Sequence, residues 1–268
     1  MKVDTPEGTL LGDRYSGPRT AVIVGGSGGI GQATARTLAE RGFDPIVVTY
    51  FSNEAAVAKT MSDVHDAGAH GVAVQVDVSK SSDLAGLAET FGNYSDRLDA
   101  LVYCAGYRVL RPTMTMDEES WQGALNVSLN GFVHSVQQLT PRMASGGKVV
   151  GVSGLSGVRA YSPNHMAMGT SKAASHHAMT YLAWDLAERG INLNMACFGA
   201  VLTDGVKEDL TPEQYEELIT GAGRSDKIPL GRVATVEDVA RVIAFLCSPD
   251  AGWLVGQVIV ADGGETLR

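Results

Sequence analysis

Short apolar runs alternate along the chain with longer segments in which apolar residues recur at every third or fourth position. The runs cover residues 20–24, 45–49, 72–76, 100–103, 148–152, 192–197 and 257–260. The longer segments cover residues 32–41, 54–66, 82–91, 118–143, 166–189 and 236–247. Such short runs are typical of strands buried on both faces, and the longer periodicity is that of helices. The alternation predicts an α/β fold, a doubly wound parallel sheet of about seven strands with helices on both faces.

A single domain is expected over residues 19–268, after an N-terminal arm at residues 1–18, because α/β folds of this length bury one continuous core. The polar segment near residues 203–230 interrupts the alternation. It follows the carboxyl end of a strand, which is where such folds place a substrate lid. Within it, Thr211 and Pro212 begin a short helix. Beyond it, Thr235 and Asp238 form a capping box that opens the last long helix.

Composition narrows the range of partners. The 268 residues carry a net charge of -9, with 44% hydrophobic and 19% charged residues, which is typical of a soluble globular protein and offers no basic field for nucleic acid. No segment resembles a signal peptide or a membrane span, and no spacing of ligands indicates a metal site. Cys104, Cys197 and Cys247 lie apart in apolar runs, which predicts reduced thiols and a cytoplasmic protein. A small-molecule substrate is therefore expected.

A glycine-rich loop joins the first strand to the first helix. The strand at residues 20–24 continues directly into Gly25-Gly26-Ser27-Gly28-Gly29-Ile30-Gly31. Glycine permits the tight turn and lets backbone N–H groups and the helix N-terminus approach a pyrophosphate. A flexible turn without a ligand is the alternative, but the strand and helix on either side favour a dinucleotide site.

The order of further motifs resembles that of the short-chain dehydrogenase/reductase family over nearly the whole chain. The motifs are Gly25-x3-Gly29-x-Gly31, Val76-Asp77-Val78, Cys104-Ala105-Gly106, Asn126, Ser171-Lys172, Ile191-Asn192-Leu193-Asn194, Gly199-Ala200-Val201-Leu202-Thr203 and Ala261-Asp262-Gly263-Gly264. The resemblance implies a Rossmann-type fold, an NAD(P)-dependent oxidoreductase, and a homodimer or homotetramer that pairs through the helices at 118–143 and 166–189. Two residues depart from the pattern: Cys104 replaces an asparagine and Phe198 replaces a proline.

The resemblance also assigns roles around the dinucleotide. Asp77 and Val78 would hold the adenine, Ala105 and Gly106 would pass beneath the nicotinamide ribose, and Lys172 would bind the ribose hydroxyls. Val201 and Thr203 would meet the carboxamide and the pyrophosphate. The full set of predicted cofactor-binding residues is Gly25, Ser27, Gly28, Gly29, Ile30, Gly31, Tyr50, Ser52, Asp77, Val78, Cys104, Ala105, Gly106, Lys172, Gly199, Val201 and Thr203.

Several of these residues have a purely structural alternative. Asp77 can be a turn residue at the end of a strand, and Thr203 can be a helix cap. Asn126 can bridge backbone groups in a bent helix, whereas the family gives it a water-holding role near the lysine. The second strand ends in Thr49-Tyr50-Phe51-Ser52-Asn53. At this place an acidic side chain would hold the ribose 2′-hydroxyl of NAD, and a basic side chain would hold the 2′-phosphate of NADP. The missing acid favours NADP over NAD.

The predicted chemical site breaks the family pattern. The common catalytic tyrosine, four residues before the lysine, is replaced by Met168, and the tyrosine position of enoyl-thioester reductases, seven residues before it, holds His165. The segments at residues 158–165, 109–112 and 119–121 nevertheless resemble enoyl-acyl-carrier-protein reductases of the third type and cyclohexenylcarbonyl-CoA reductases. The position of the family's serine falls in register at Gly154, with Ser153 and Ser156 on either side as candidates.

Two residues are candidates for the proton step, and each has packing as its alternative role. The imidazole of His165 can donate and accept protons near neutrality. The phenol of Tyr161 could donate to a thioester carbonyl. Lys172 is the predicted cofactor-orienting residue, with a solvated helix position as its alternative, while His176 and His177 are expected to be ordinary helix-face residues.

These features predict hydride transfer from NADPH or NADH to the double bond of an enoyl thioester carried on CoA or acyl carrier protein. A carbonyl reductase or alcohol dehydrogenase is the alternative within the fold, although it requires a strong proton donor at the oxygen. A third possibility is a dinucleotide-binding protein with a non-redox or regulatory role, which the altered catalytic centre suggests.

Overall fold

Seven strands form one parallel sheet in the computed structural model, in the order β3-β2-β1-β4-β5-β6-β9. The model describes residues 18–160, 163–208, 210–213, 215, 216 and 228–267. The sheet strands are β1 Arg19–Val24, β2 Phe43–Tyr50, β3 Gly71–Gln75, β4 Leu98–Tyr103, β5 Met143–Gly154, β6 Asn192–Phe198 and β9 Val258–Ala261. Two short strands, β7 Val201–Leu202 and β8 Ala234–Thr235, pair with each other outside the sheet.

Helices cover both faces of the sheet. They are α1 Gly29–Glu40, α2 Glu54–Asp66, α3 Ser81–Phe91, α4 Glu118–Ala124, α5 Gly131–Leu139, α6 Met166–Glu188, α7 Asp204–Glu208 and α8 Val236–Leu246. One apolar core lies beneath α1, α2 and α8, and a second lies on the other face beneath α3, α5 and α6. The predicted doubly wound, Rossmann-type architecture is confirmed. The capping box is confirmed as well, since Thr235 Oγ1 accepts from the backbone N–H of Asp238.

The segment at residues 118–143, predicted as one helix, is interrupted. A π-helical turn, Leu125–Asn130, separates α4 from α5, and a 3₁₀ turn, Thr140–Arg142, follows α5. Pro141 ends the helix because it lacks an N–H and its ring clashes with the preceding turn. The predicted end at Met143 is wrong, since that residue begins β5. A single turn of either kind moves the apolar positions by only about one residue, so the periodicity of the whole segment did not reveal the interruption.

The strand order fixes where a ligand can enter. The chain proceeds from β1 outward through β2 and β3, and then returns to place β4 on the other side of β1. At such a switch point the two following loops diverge and leave a crevice at the carboxyl ends of the strands. The glycine-rich loop after β1 and the segment after β4 border this crevice. The predicted N-terminal arm lies outside the described residues except for Pro18, and so does much of the predicted lid near 203–230.

Candidate active site

A cavity of about 900 Å³ occupies the crevice between β1 and β4. The carboxyl ends of four strands, the start of α1 and the π-helical turn all contribute to its walls. Most of the predicted cofactor-binding residues line it, together with Asn126. These residues are Gly25, Ser27, Gly28, Gly29, Ile30, Gly31, Tyr50, Asp77, Val78, Cys104, Ala105, Gly106 and Thr203.

The glycine-rich loop forms one wall of the cavity and packs closely against neighbouring backbone. Gly25 has a φ of +79°, and a Cβ there would lie 2.7 Å from the backbone nitrogen of Ala105. A Cβ on Gly31 would lie 2.4 Å from the carbonyl oxygen of Gly25. Gly28, the N-cap of α1, has no atom within 4 Å of its missing Cβ and no capping side chain. The start of α1 therefore has open space beside Gly28, where a pyrophosphate could approach the N–H groups of the first helical turn.

Asp77 is a turn residue, and its predicted contact with the adenine stays a prediction. Its Oδ1 accepts hydrogen bonds from Ser79 Oγ at 2.6 Å and from the Ser79 backbone at 3.1 Å, and Lys80 lies 3.2 Å from Oδ2. The bond from the Ser79 hydroxyl and, less strongly, the Lys80 ammonium hold the pKa of Asp77 below its usual value. Asp77 is thus a turn residue after β3 that also lines the cavity. Ser52, by contrast, does not line it.

Thr203 serves two roles. Its Oγ1 accepts from the backbone N–H of Val206 at 3.2 Å, which caps α7. A Cβ on Gly29 would lie 2.8 Å from its Cγ2, so Thr203 packs directly over the start of α1. Val201 instead packs against the apolar core, and a Cβ on Gly199 would meet Glu265. Neither Val201 nor Gly199 lines the cavity.

Lys172, on α6, does not itself line the larger cavity but lies next to Gly106, which does. Its Nζ donates to the carbonyl oxygen of Val152 at 2.9 Å and is the nearest atom, at 3.9 Å, to a Cβ built on Gly106. The side chain therefore points into the protein rather than to solvent. Burial lowers the pKa of Lys172 to about 8. Burial raises the pKa of the nearby Cys104 thiol to about 12, so this residue supplies no thiolate at neutral pH.

Ser153 and Gly154 end β5 in different surroundings. Ser153 is buried, and its Oγ lies 2.6 Å from Nε2 of His176 on α6. A Cβ on Gly154 would have only the Phe198 carbonyl oxygen nearby, at 3.8 Å. His176 lies on a helix face as expected, but the sequence did not predict that it is half-buried and hydrogen-bonded to the strand. Its spacing of four residues from Lys172 was the available signal, since that spacing places both on one helix face.

His165 ends the 3₁₀ turn Pro163–His165 and is the N-cap of α6. It lines a second cavity of about 690 Å³ with Thr113 and Arg159, and not the larger one. Burial, and then the charge of Arg108, lowers the pKa of His165. Arg108 itself reaches α7 and donates to the Gly205 carbonyl at 2.9 Å. The other proton-transfer candidate, Tyr161, lies outside the described residues.

Met168 packs into a small apolar cluster beside the larger cavity. Buried Val109, Ala124 and Ala167 form its centre, and Tyr107 and Trp121 pack against it with Met168. The sequence did not predict Tyr107, which lines the cavity directly after Gly106. Besides Asn126, the other lining residues outside the predicted cofactor set are Thr49, Phe51, Val76, Ser79, Glu119, Gln122, Gly123, Val127 and Gly205.

Comparison with known proteins decides the family. The family model described as "Enoyl-(Acyl carrier protein) reductase" matches residues 25–266. The chain is 34% identical to a 1-cyclohexenylcarbonyl-CoA reductase of Streptomyces collinus over 254 residues, 93% of this chain and 87% of that protein. The chain belongs to the short-chain dehydrogenase/reductase family. It is accordingly an NAD(P)-dependent oxidoreductase.

Two further similar proteins are a reductase and a solved short-chain dehydrogenase/reductase. An (S)-acetoin-forming diacetyl reductase of Staphylococcus epidermidis is 30% identical over 261 residues, 93% of this chain and 99% of that protein. The structure of a short-chain dehydrogenase/reductase from Serratia marcescens BCRC 10948 superposes with a TM-score of 0.84 at 25% identity, covering 92% of this chain and 98% of that chain.

The structure keeps a glycine-rich loop beside a cavity large enough for a dinucleotide, whereas the positions expected for the family's tyrosine and serine carry no hydroxyl. The glycine loop and the cavity fit a dinucleotide. Met168 offers no hydroxyl at the position of the common tyrosine, and Gly154 offers none at the position of the serine. In the part of the chain that the structure describes, no group of three or more acidic, histidine or cysteine side chains could hold a metal. No described helix is long and apolar enough to cross a membrane.

Proposed function

We propose that this oxidoreductase reduces the carbon–carbon double bond of an enoyl thioester carried on CoA or acyl carrier protein. The observation that carries the proposal is the replacement of both catalytic hydroxyls, by Met168 and Gly154, beside an intact dinucleotide cradle. Reduction of a carbonyl needs a strong proton donor at its oxygen. Reduction of a conjugated double bond makes a weaker demand, because the developing charge is delocalised and needs chiefly electrostatic stabilisation.

A bound reduced nicotinamide supplies the hydride in such a reaction. The hydride would go to the β-carbon of the thioester, the electrons of the double bond would move to the carbonyl oxygen, and the resulting enolate would take a proton from water at the α-carbon. Lys172 would hold the ribose and add positive charge, and Arg108 would add more from the loop after β4. The cluster of Tyr107, Trp121 and Met168 offers an apolar surface to the acyl chain.

NADPH is the proposed reductant in preference to NADH. The chain after β2, Phe51-Ser52-Asn53, carries no acid to hold the two ribose hydroxyls of NADH. The side chain of Asn53 is occupied, since it accepts from the backbone N–H of Ala56 and caps α2. This environment supports the 2′-phosphate only by offering no repulsive carboxylate.

A substrate panel tests the proposal. With NADPH, short and cyclic enoyl-CoA esters are expected to have a kcat/KM more than about tenfold that of ketones, because the site lacks the carbonyl-protonating hydroxyls. The decrease in reduced-nicotinamide absorbance measures turnover of the enoyl-CoA esters and of the ketones, and product analysis identifies the saturated acyl-CoA. Faster turnover of diacetyl would instead support the second candidate, a carbonyl reductase, which the similarity to the diacetyl reductase favours.

We also propose that copies of the chain associate through α6 together with α5. Tyr181 and Trp184 lie three residues apart on α6 and are 69% and 74% exposed, an apolar patch of the kind that marks an interface. Tyr181→Asp/Trp184→Asp is expected to convert a dimer or tetramer into a 28.1 kDa monomer in light scattering. Tyr94→Asp, at an exposed aromatic on another part of the surface, is the control. A monomeric wild-type protein at micromolar concentration would refute the interface.

A further inference from the structure

His176 connects α6 to the end of β5 next to the candidate site. It lies one helical turn after Lys172, and its Nε2 is 2.6 Å from Oγ of Ser153. Ser153 is buried and His176 is half-buried. Polar groups that leave water must be hydrogen-bonded or they destabilise the fold. The pair therefore forms a specific link between helix and strand, and the function proposed above makes no use of it.

Lys172 makes the adjoining link. Its Nζ donates to the carbonyl oxygen of Val152 at 2.9 Å, and that carbonyl belongs to the peptide that joins Val152 to Ser153. Two successive residues of β5 are thus bonded to two residues of α6 that are one turn apart. An ammonium has three donors, so the bond to Val152 leaves two for a ligand. The direction of those two donors depends on where the Val152 carbonyl is held.

Gly157 packs against both side chains. A Cβ on Gly157 would lie 2.8 Å from Cβ of Lys172 and 3.0 Å from Cε1 of His176. The 3₁₀ turn Leu155–Gly157 that follows β5 therefore covers Lys172 and His176 together. A side chain at this position would displace both residues, so the turn, the strand end and the helix face behave as one packed unit.

The charge state of His176 suits this arrangement. Burial, and then the Lys172 ammonium, lowers the pKa of His176 to about 4. The imidazole is therefore neutral at physiological pH and does not repel the ammonium beside it. A neutral imidazole can exchange one hydrogen bond with the Ser153 hydroxyl, in either direction depending on its tautomer.

We propose that Ser153 and His176 form a positioning pair that fixes the Val152 carbonyl and thereby directs the Lys172 ammonium toward the ribose of the bound dinucleotide. The inference rests on the proposed use of the larger cavity for the dinucleotide. Neither residue lines that cavity, so their effect on the ligand is indirect and passes through Lys172.

A double-mutant cycle on NADPH affinity, measured by calorimetry, tests the pair. His176→Leu and Ser153→Ala are each expected to weaken NADPH binding about tenfold, the scale of one misdirected hydrogen bond to a charged group. His176→Gln, which keeps a hydrogen-bonding nitrogen at a similar reach, should restore affinity to within about threefold of wild type. His177→Leu, at the adjacent exposed position on the same helix, should leave affinity unchanged.

The same substitutions in a Lys172→Met background distinguish positioning from general packing. There His176→Leu should weaken NADPH binding by less than about twofold, because the group it directs is gone. An equal loss of affinity in both backgrounds, or no loss in the wild-type background, would overturn the proposal. If His176→Leu does not fold, the Ser153→Ala cycle with Lys172→Met answers the same question. Because no thioester enters these measurements, they stand even if the enoyl panel shows no turnover.

Discussion

Gly28→Trp is expected to weaken dinucleotide binding by about 100-fold or more, equivalent to about 2.7 kcal/mol, while the protein stays folded. Gly28 caps α1 with a φ of -132°, an ordinary backbone conformation for any residue. Nothing lies within 4 Å of its missing Cβ, so a side chain can start there without a clash, and an indole is expected to extend into the cavity that Gly28 lines. It would then occupy the place where a pyrophosphate would meet the N–H groups of the helix.

Gly28→Ala is the matched control, because one methyl group in open space should leave affinity nearly unchanged. The neighbouring Gly29 is less informative, since any side chain there strikes Thr203. Calorimetry with NADPH and NADH measures the loss, and thermal unfolding checks that the melting temperature of the variant stays within a few degrees of wild type. Full affinity in a folded Gly28→Trp protein would place the dinucleotide elsewhere.

The fold could be predicted because it is encoded in local periodicity and in strand-to-helix turns. Strands that are buried on both faces of the sheet have continuous apolar runs in their sequence. Close backbone contacts within one short loop require glycine at positions 25 and 31. The glycine-rich loop could therefore be predicted from residues that are neighbours in the sequence. The π-helical turn at Leu125–Asn130 could not be predicted. It changes which backbone carbonyl each N–H bonds to, but leaves the pattern of apolar residues nearly intact.

The parts of the site that depend on tertiary contacts could not be predicted in the same way. The bond between Ser153 and His176 joins residues 23 positions apart, and nothing in the local sequence of either indicates the other. His165 was placed by its distance from Lys172 along the chain, whereas the structure shows it at the N-cap of α6 facing the loop of Thr113. The spacing between two residues in the sequence gives their separation along a helix. It does not show which cavity is lined by His165, which precedes the helix.

His165→Ala is expected to lower turnover of the enoyl thioester by about 10²–10⁴-fold with little change in NADPH affinity. His165 lies seven residues before Lys172, where enoyl-reducing relatives carry a tyrosine. Burial and the charge of Arg108 lower its pKa, so the imidazole is neutral at pH 7. His165 lines the second cavity rather than the larger one, so this role requires the thioester carbonyl to extend into the second cavity, where the N–H of the imidazole would donate to the oxygen as negative charge develops.

Further substitutions at the same position distinguish a proton-donating role of His165 from a packing role. His165→Tyr should retain more activity than His165→Ala, because a phenol restores a donor, whereas His165→Phe fills similar space without one and should remain impaired. Tyr161→Phe removes only a hydroxyl and is expected to matter little. Steady-state turnover under saturating NADPH measures all four. Full activity of His165→Ala together with an inactive Tyr161→Phe would show that the tyrosine donates to the oxygen. Full activity of both variants would mean that hydride placement and the charge of Lys172 suffice, since a delocalised enolate can take its proton from water.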